Sequence, residues 1–336
     1  MKLKKIMLDW NVIKYLKQPE KIVKQPEKIE ELEKKKKVEI LNKILARLKY
    51  RGDKIPFCKS HLADLRKSFS LENEDLVKED LKFLENLSDC YYIDHEHKLG
   101  KANLIENEEY KKYFDIIKAQ EETNIKFVTS IENLNYEFKK IDIEKNPLFS
   151  DLVEENNEKI EYSKILEYLN TIPKDFITGT VEYKKIRKKI KIVKKYIESN
   201  WDNLPNDAKI EYSRYSKAFF DSLECEDEEE LSKIWKEVVK NYIFSKNQNI
   251  TDMELITVAY VMLDFHPLFK NEKIYRKNKF TNIVYDANIV YFASGCDVFI
   301  TEDERCYKKS KFLFKAFNIK TKVYKISEFV NKFNIL

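Results

Sequence analysis

Two short segments at opposite ends of the chain constrain its fold more than anything between them. Near the start, residues 3–8 form an apolar, strand-like run that ends in Asp9, and Asn11 stands where a helix would begin. Near the end, Asp286 precedes a helix-like stretch, and the short strand Val298-Phe299-Ile300 delivers Thr301-Glu302-Asp303. Acids placed just past the C-terminal ends of parallel strands converge at the crevice where open α/β sheets bind ligands. Carboxylates gathered there suit a hard divalent cation.

Between these ends the pattern alternates and then changes. A charged helix is expected from about Ile29 to Lys49, with Ile40, Ile44, Leu45 and Leu48 on its apolar face. A short strand follows at Ile55 to Cys58. Ser60 then stands as the N-cap of a helix carrying His61, Leu62, Asp64 and Leu65. A further helix from about Glu74 to Leu87 leads to the strand Cys90 to Ile93. From about Gly100 to Asn249 the α/β alternation fades into helical patterning, with an acidic patch at Glu224 to Glu230 and a basic helix at Tyr183 to Ile197. Thr251-Asp252-Met253-Glu254 has the form of a capping box opening the helix Leu255 to Phe265. The end returns to α/β: helix Ala287 to Ser294, strand Val298 to Ile300, helix Glu304 to Phe317, strand Lys322 to Tyr324 and a helix from Ser327. The expected architecture is therefore α/β, a parallel-sheet domain built from residues 1–98 and 250–336, with a large all-α insertion at 99–249.

Bulk properties narrow the class. At 336 residues, 43% apolar and 36% charged, the chain can bury a substantial core, and a prior of about two domains follows. No run approaches the roughly 20 apolar residues of a membrane span, and the start shows no signal-peptide pattern, so a cytoplasmic protein with no membrane partner is expected. Five dispersed cysteines with no Cys-x-x-Cys pair fit reduced, buried thiols rather than zinc or disulfides. The pair Gln18-Pro19-Glu20-Lys21-Ile22 and Gln25-Pro26-Glu27-Lys28-Ile29 is too small a repeat for an array and reads as a loop or broken helix end. No glycine-rich phosphate loop, serine-hydrolase elbow or nicotinamide fingerprint occurs, which disfavours ATP use and hydride chemistry.

Each acid taken singly has a plain structural account. Asp9, Asp286 and Asp303 can all be helix caps, Asp64 falls in a first helical turn favoured by the helix dipole, and Glu302 competes with Asp303 for a metal-facing role. Their order along the chain is more specific: strand-Asp-x-Asn, an early-helix Asp, a later Asp, then strand-Thr-x-Asp. That order resembles the PIN-domain and PIN-like nucleases over roughly residues 1–95 and 250–336. The resemblance matches Asp9, Asp64, Asp286 and Asp303 to the family's four acids, Asn11 to the polar residue accompanying the first, and Thr301 to its Ser/Thr position. It implies a Rossmann-like fold and Mg²⁺- or Mn²⁺-dependent phosphodiesterase activity, most often on RNA, with a toxin or defence role by analogy. The long insertion and an Asp where many members carry Glu depart from the family pattern.

On this reading Asp9, Asp286 and Asp303 hold the metal, and Asp64 helps to hold a second ion or orients a water. Asn11, Thr301, Lys308 and Lys309 contact substrate, with Lys308, Lys309 and Lys311 placed near the phosphates. RNA is the expected partner ahead of DNA, with a protein inhibitor or effector and self-association as further partners of the insertion. Two alternatives stand beside it: a catalytically degenerate PIN-like binding protein whose insertion does the work, and a DNA nuclease. A dehalogenase-like phosphatase would need an acid where Asn11 stands. The basic helix reads as a solvated face that could also grip a nucleic-acid backbone. The aromatic residues, including Phe312, Phe314 and Phe317, read mainly as core. His61, one turn before Asp64, reads as a capped surface residue, with orientation of Asp64 as its functional alternative. His95 and His97 alternate as on a strand, without clustered partners.

Overall fold

A computed structural model describes residues 4–22, 29–67, 71–93, 104–106, 194–195, 197–204, 206–213, 217–243, 251–269 and 280–333. The basic stretch from Tyr183 to Val193, the second Gln-Pro-Glu-Lys-Ile copy up to Lys28, and His95 and His97 lie outside them. The described part is mostly helical with small parallel sheets, an α/β arrangement. The chain divides into unit 1, Met1–Glu121 with Asp252–Tyr260 and Tyr285–Leu336, and unit 2, Glu122–Thr251 with Val261–Val284. Among the described residues no helix is long and apolar enough to cross a membrane.

The elements run β1 (Ile6–Leu8), α1 (Trp10–Lys17), α2 (Ile29–Tyr50), β2 (Phe57–Cys58), α3 (Lys59–Lys67), α4 (Glu74–Ser88), β3 (Tyr91–Ile93) and β4 (Leu104–Glu106). There follow α5 (Asn206–Glu211), α6 (Lys217–Ser222), α7 (Glu228–Ile243), α8 (Asp252–Met262) and α9 (Phe280–Ala293). The chain closes with β5 (Val298–Ile300), α10 (Glu304–Ala316), β6 (Lys322–Tyr324) and α11 (Ile326–Phe333).

In unit 1, β5 lies between β1 and β6, all parallel, with Ile6 opposite Val298 and Leu8 opposite Ile300. Every residue of β1 and β5 is buried, as expected of a parallel sheet covered on both faces. On the other side of β1, Lys5 bridges Lys54 in parallel, and the Ile6 amide donates to the Lys54 carbonyl at 2.8 Å. Three residues further on, β2 starts a second sheet in which it pairs parallel with β3, and β3 pairs antiparallel with β4. Neighbours thus leave β1 on both sides, one reached through α1 and α2 and the other from the end of the chain. A crevice opens at the C-terminal end of a strand so placed, and that is where Asp9 stands.

Helix α2 carries Glu30 and Glu31 in its first turn and Arg47 and Lys49 in its last, which favours it through the helix dipole. It buries Val38, Leu41, Ile44, Leu45 and Leu48 and packs against α11, which contributes Ile326, Phe329 and Val330. Burial of each such side chain stabilises by about 1.5–3 kcal/mol. The helix stops where Gly52 takes φ 93°, a left-handed conformation that glycine adopts without a Cβ clash.

Unit 2 is built around Trp235, with Phe219, Phe220, Leu231, Val238 and Val239 also buried. His266 is buried beside the Trp235 ring, accepts from the Leu268 amide at Nδ1 and hydrogen-bonds the Ser222 carbonyl through Nε2 at 2.7 Å. The acidic patch has local employment. Asp227 Oδ1 accepts from the amides of Glu229 and Glu230 at the start of α7, and Lys194 pairs with Glu224 at 2.6 Å.

Several expected boundaries change. Helix α9 begins at Phe280, so Asp286 lies inside a helix rather than ahead of one. Helix α3 begins at Lys59, which places Ser60 within it and Asp64 in its second turn. On α2 the expected Ile44, Leu45 and Leu48 are buried, joined by Val38 and Leu41, while Ile40 is partly buried at the edge of that face. β4 is a strand inside the stretch expected to be helical throughout, because its backbone pairs with the edge of β3.

Candidate functional site

Asp9 follows the last residue of β1 and occupies the N-cap position of α1, with extended backbone (φ −69°, ψ 151°). Its amide donates to the Ile300 carbonyl at 2.9 Å, and its own carbonyl accepts from the Val12 and Ile13 amides. Its carboxylate makes no capping bond. Instead Oδ2 accepts a 2.7 Å hydrogen bond from Thr301 Oγ1 across the β1–β5 pair. The side chain that could have served the helix is thereby turned toward the end of β5. Asn11, the expected cap, is exposed in the first turn.

Thr301 is fully buried, and its hydroxyl oxygen also accepts from the Asp303 amide at 3.2 Å. The expectation that Thr301 touches substrate is therefore corrected: it is sealed inside and positions two acids. Asp303 is the N-cap of α10, with Oδ1 accepting from the Cys306 amide at 2.7 Å, and its residue is exposed. Glu302 is otherwise engaged. Its Oε1 accepts from the Ile326 amide, and its Oε2 pairs with Lys34 at 3.2 Å, so Asp303 is the acid of this loop that faces the others.

Asp286 arrives from α9, and its Oδ2 accepts from Arg305 Nη2 at 3.1 Å. The Asp286 side chain is partly exposed, at 36%. Arg305 escaped the sequence reading. Its only signal was its position two residues after Asp303, and pairing with an acid from a different helix is a tertiary fact.

Asp64 is half-buried on α3. That helix is tied to β1 by His61, which is buried, not on the surface as expected. The Cys58 amide donates to His61 Nδ1 at 3.1 Å, which leaves Nε2–H to donate to the Leu8 carbonyl at 2.8 Å. One imidazole thus joins the residue before Asp9 to the helix bearing Asp64. Burial lowers its pKa to about 4, so it is neutral near neutral pH and acts as a strut.

Two of the acids, Asp9 and Asp286, are perturbed by burial and by the charges around them. Burial raises the Asp9 pKa to about 6; the Thr301 hydrogen bond opposes this, and the like charges of Asp303 and Asp64 add to it. Burial raises Asp286 to about 7; Arg305 opposes the shift, and Asp9 and Asp303 add to it. The buried Cys306 thiol is pushed up by burial first and then by Asp9, Asp286 and Asp303.

The lysines divide. Lys308 is exposed and pairs with Glu304 one turn back at 3.4 Å. Lys309, expected at the phosphates, is fully buried; its ammonium donates to the Tyr260 carbonyl at 3.3 Å and lies 4.3 Å from the Tyr260 ring centroid. On an amphipathic helix one position decides the face, and position 309 falls on the buried one.

As donors, four aspartates suit Mg²⁺ or Mn²⁺, hard cations that take oxygen ligands. Among the described residues, however, no group of three or more His, Cys, Asp or Glu is already drawn together to hold a metal ion. The oxygen donors are of the type a divalent cation takes, but the described residues do not form a metal-holding group. Compared with protein-family models, with curated proteins and with solved structures, the chain matches none of them.

Proposed function

We propose that unit 1 is a PIN-like, Rossmann-like domain acting as a divalent-cation-dependent phosphodiesterase on RNA. The observation that carries this reading is that the pKa values of Asp9 and Asp286, from two different elements, are both raised by burial and by like charge, Asp9 by Asp303 and Asp64 and Asp286 by Asp9 and Asp303. Carboxylates held at raised pKa by burial and by one another are stabilised when a cation enters among them. Asp9, Asp286 and Asp303 would hold it, and Asp64 would hold a second ion or orient a water. Bound there, Mg²⁺ or Mn²⁺ supplies a water of lowered pKa and neutralises charge on the phosphoryl oxygens. Thr301 keeps the Asp9 carboxylate aimed and ionised, because a hydrogen bond to the charged form favours it. Lys308 and Lys311, both exposed on α10, would meet a phosphate from solution.

A second reading has its own observation. Arg305 already neutralises Asp286, as it would in a degenerate site that no longer needs a cation. The discriminating experiment is cleavage of matched single-stranded RNA and DNA with Mn²⁺, Mg²⁺ or EDTA, wild type beside the Asp9→Asn/Asp303→Asn double variant. Metal-dependent cutting of RNA that the variant loses is the expected result. Cutting at equal rate by the variant refutes the site, preference for DNA refutes the substrate, and inactivity in every metal favours the degenerate reading.

A further inference from the structure

A cleft of about 300 Å³ runs beside α1, walled by Trp10, Lys14, Tyr15 and Lys21 on one side and by Asp80 and Phe83 of α4 on the other. We propose that it seats one nucleotide of the strand being cut, next to the acidic cluster; the proposal rests on the nuclease reading above and adds where the substrate lies. Three features point to that occupant. The volume stands at the lower end of the roughly 300–1,000 Å³ range of small-molecule sites, a size that admits one nucleotide and excludes a helix or a duplex.

The second feature is the lining, which interleaves aromatic rings with ammonium groups. Trp10 is largely buried beneath Lys14, whose Nζ lies 5.5 Å from its ring centroid, so the half-buried rings of Tyr15 and Phe83 are the aromatic surfaces the cleft presents beside Lys14 and Lys21. Single-stranded nucleic acids are held by this combination, bases on aromatic faces and phosphates on cations. Lys17 is committed to Asp80 at 2.6 Å, whereas Lys14 and Lys21 are exposed and form no ion pair with any described residue. These two exposed ammonium groups are the cleft's candidates for a phosphate. The Asp80 carboxylate, held by Lys17, is an acceptor of the kind that reads an exocyclic amino group.

The third feature is position. Trp10 directly follows Asp9, and the lining residues Trp10, Ile13, Lys14 and Lys17 form one face of α1. At ~1.5 Å per residue that face leads about 10 Å away from the acidic end, so a strand crossing the acids can lay its next nucleotide in the cleft.

The test uses the full chain in EDTA, where nothing is cut, and a short mixed-sequence single-stranded RNA bearing a fluorescent label and 4-thiouridine. Binding is followed by anisotropy, and photo-crosslinks are mapped by mass spectrometry. Expected are crosslinks in the Trp10–Lys21 segment or at Phe83. The Lys14→Gln/Lys21→Gln variant should bind about tenfold more weakly, with its salt slope reduced by about 1–2. Both lysines are exposed, so this variant keeps its fold, which circular dichroism verifies. Unchanged binding with crosslinks elsewhere overturns the cleft while metal-dependent cutting keeps the nuclease reading alive. Crosslinking of a free mononucleotide in the cleft without any binding of the strand also overturns it, in favour of a small ligand. Wild type that binds no RNA, yet cuts single-stranded DNA with Mn²⁺, overturns the RNA occupant alone.

Discussion

Thr301 Oγ1 donates to Asp9 Oδ2 at 2.7 Å between residues 292 positions apart in the chain. The contact exists because β1 and β5 lie side by side in parallel, so that the residue after each strand meets the other at the same edge. Replacing this hydroxyl with a methyl tests what the contact does. Thr301→Val removes a bond that lowers the Asp9 pKa, so Asp9 should titrate above its present value of about 6. It should also cost about 1–3 kcal/mol of stability, the usual consequence of leaving a buried polar partner unsatisfied. Carboxyl NMR titration and urea unfolding read the two effects separately.

The acids set a pH dependence whose sign can be worked out. Asp9 ionises near 3.8 when unfolded and near 6 when folded, so between these values the native state holds more protons. Its contribution to stability is therefore fully present below about 3.8 and is lost as pH rises through about 6. His61, lowered from 6.5 to about 4, acts oppositely: stability is lost as pH falls through that window. A wild-type profile mixes these two with Asp286, which is raised to about 7. The difference between Asp9→Asn and wild type removes Asp9 and lessens the shift of Asp286 with it: the variant should gain about 3 kcal/mol as pH rises from 4 to 6, with a smaller further gain as pH passes 7. Thermal denaturation from pH 4 to 8 measures this difference, and a gain that is flat with pH would refute it.

Arg305 competes with any cation for Asp286. Arg305→Gln should weaken the metal-free protein by about 1–3 kcal/mol, since Asp286 loses its partner. The same change should tighten Mn²⁺ binding severalfold in calorimetry, because a fixed positive charge has left the site. Saturating Mn²⁺ should then raise the melting temperature more in the variant than in wild type. Unaltered Mn²⁺ affinity would show that Asp286 is not a ligand.

Two adjacent lysines should behave as opposites. Lys309→Ala removes a fully buried side chain packed on Tyr260 and should cost about 2–5 kcal/mol. Lys308→Ala alters an exposed i,i+4 pair and should fall within about 0.5 kcal/mol of wild type. Denaturant midpoints of the two variants decide it.

Local patterns made much of unit 1 legible in advance. Val298–Ile300 and Lys322–Tyr324 match the strands read from sequence, and Glu304 opens α10 where its Asp303 cap predicts. Apolar triplets and capping side chains act on their own neighbours, so they can be read without knowing the rest of the chain. Asp286 shows the opposite case. The helix around it starts at Phe280, earlier than its local pattern implied.

The residues alone determined which acids were available and that strands would present two of them, because strand pattern and helix capping are encoded within a few positions. The tertiary structure decided the rest. It chose which carboxylate oxygen meets Thr301, gave Asp286 its arginine, buried Lys309, and made His61 an internal link. Those outcomes depend on distance and solvent exclusion between segments remote in sequence. Burial and neighbouring charge, which perturb the ionisation of Asp9 and Asp286, exist only after the chain has closed around them.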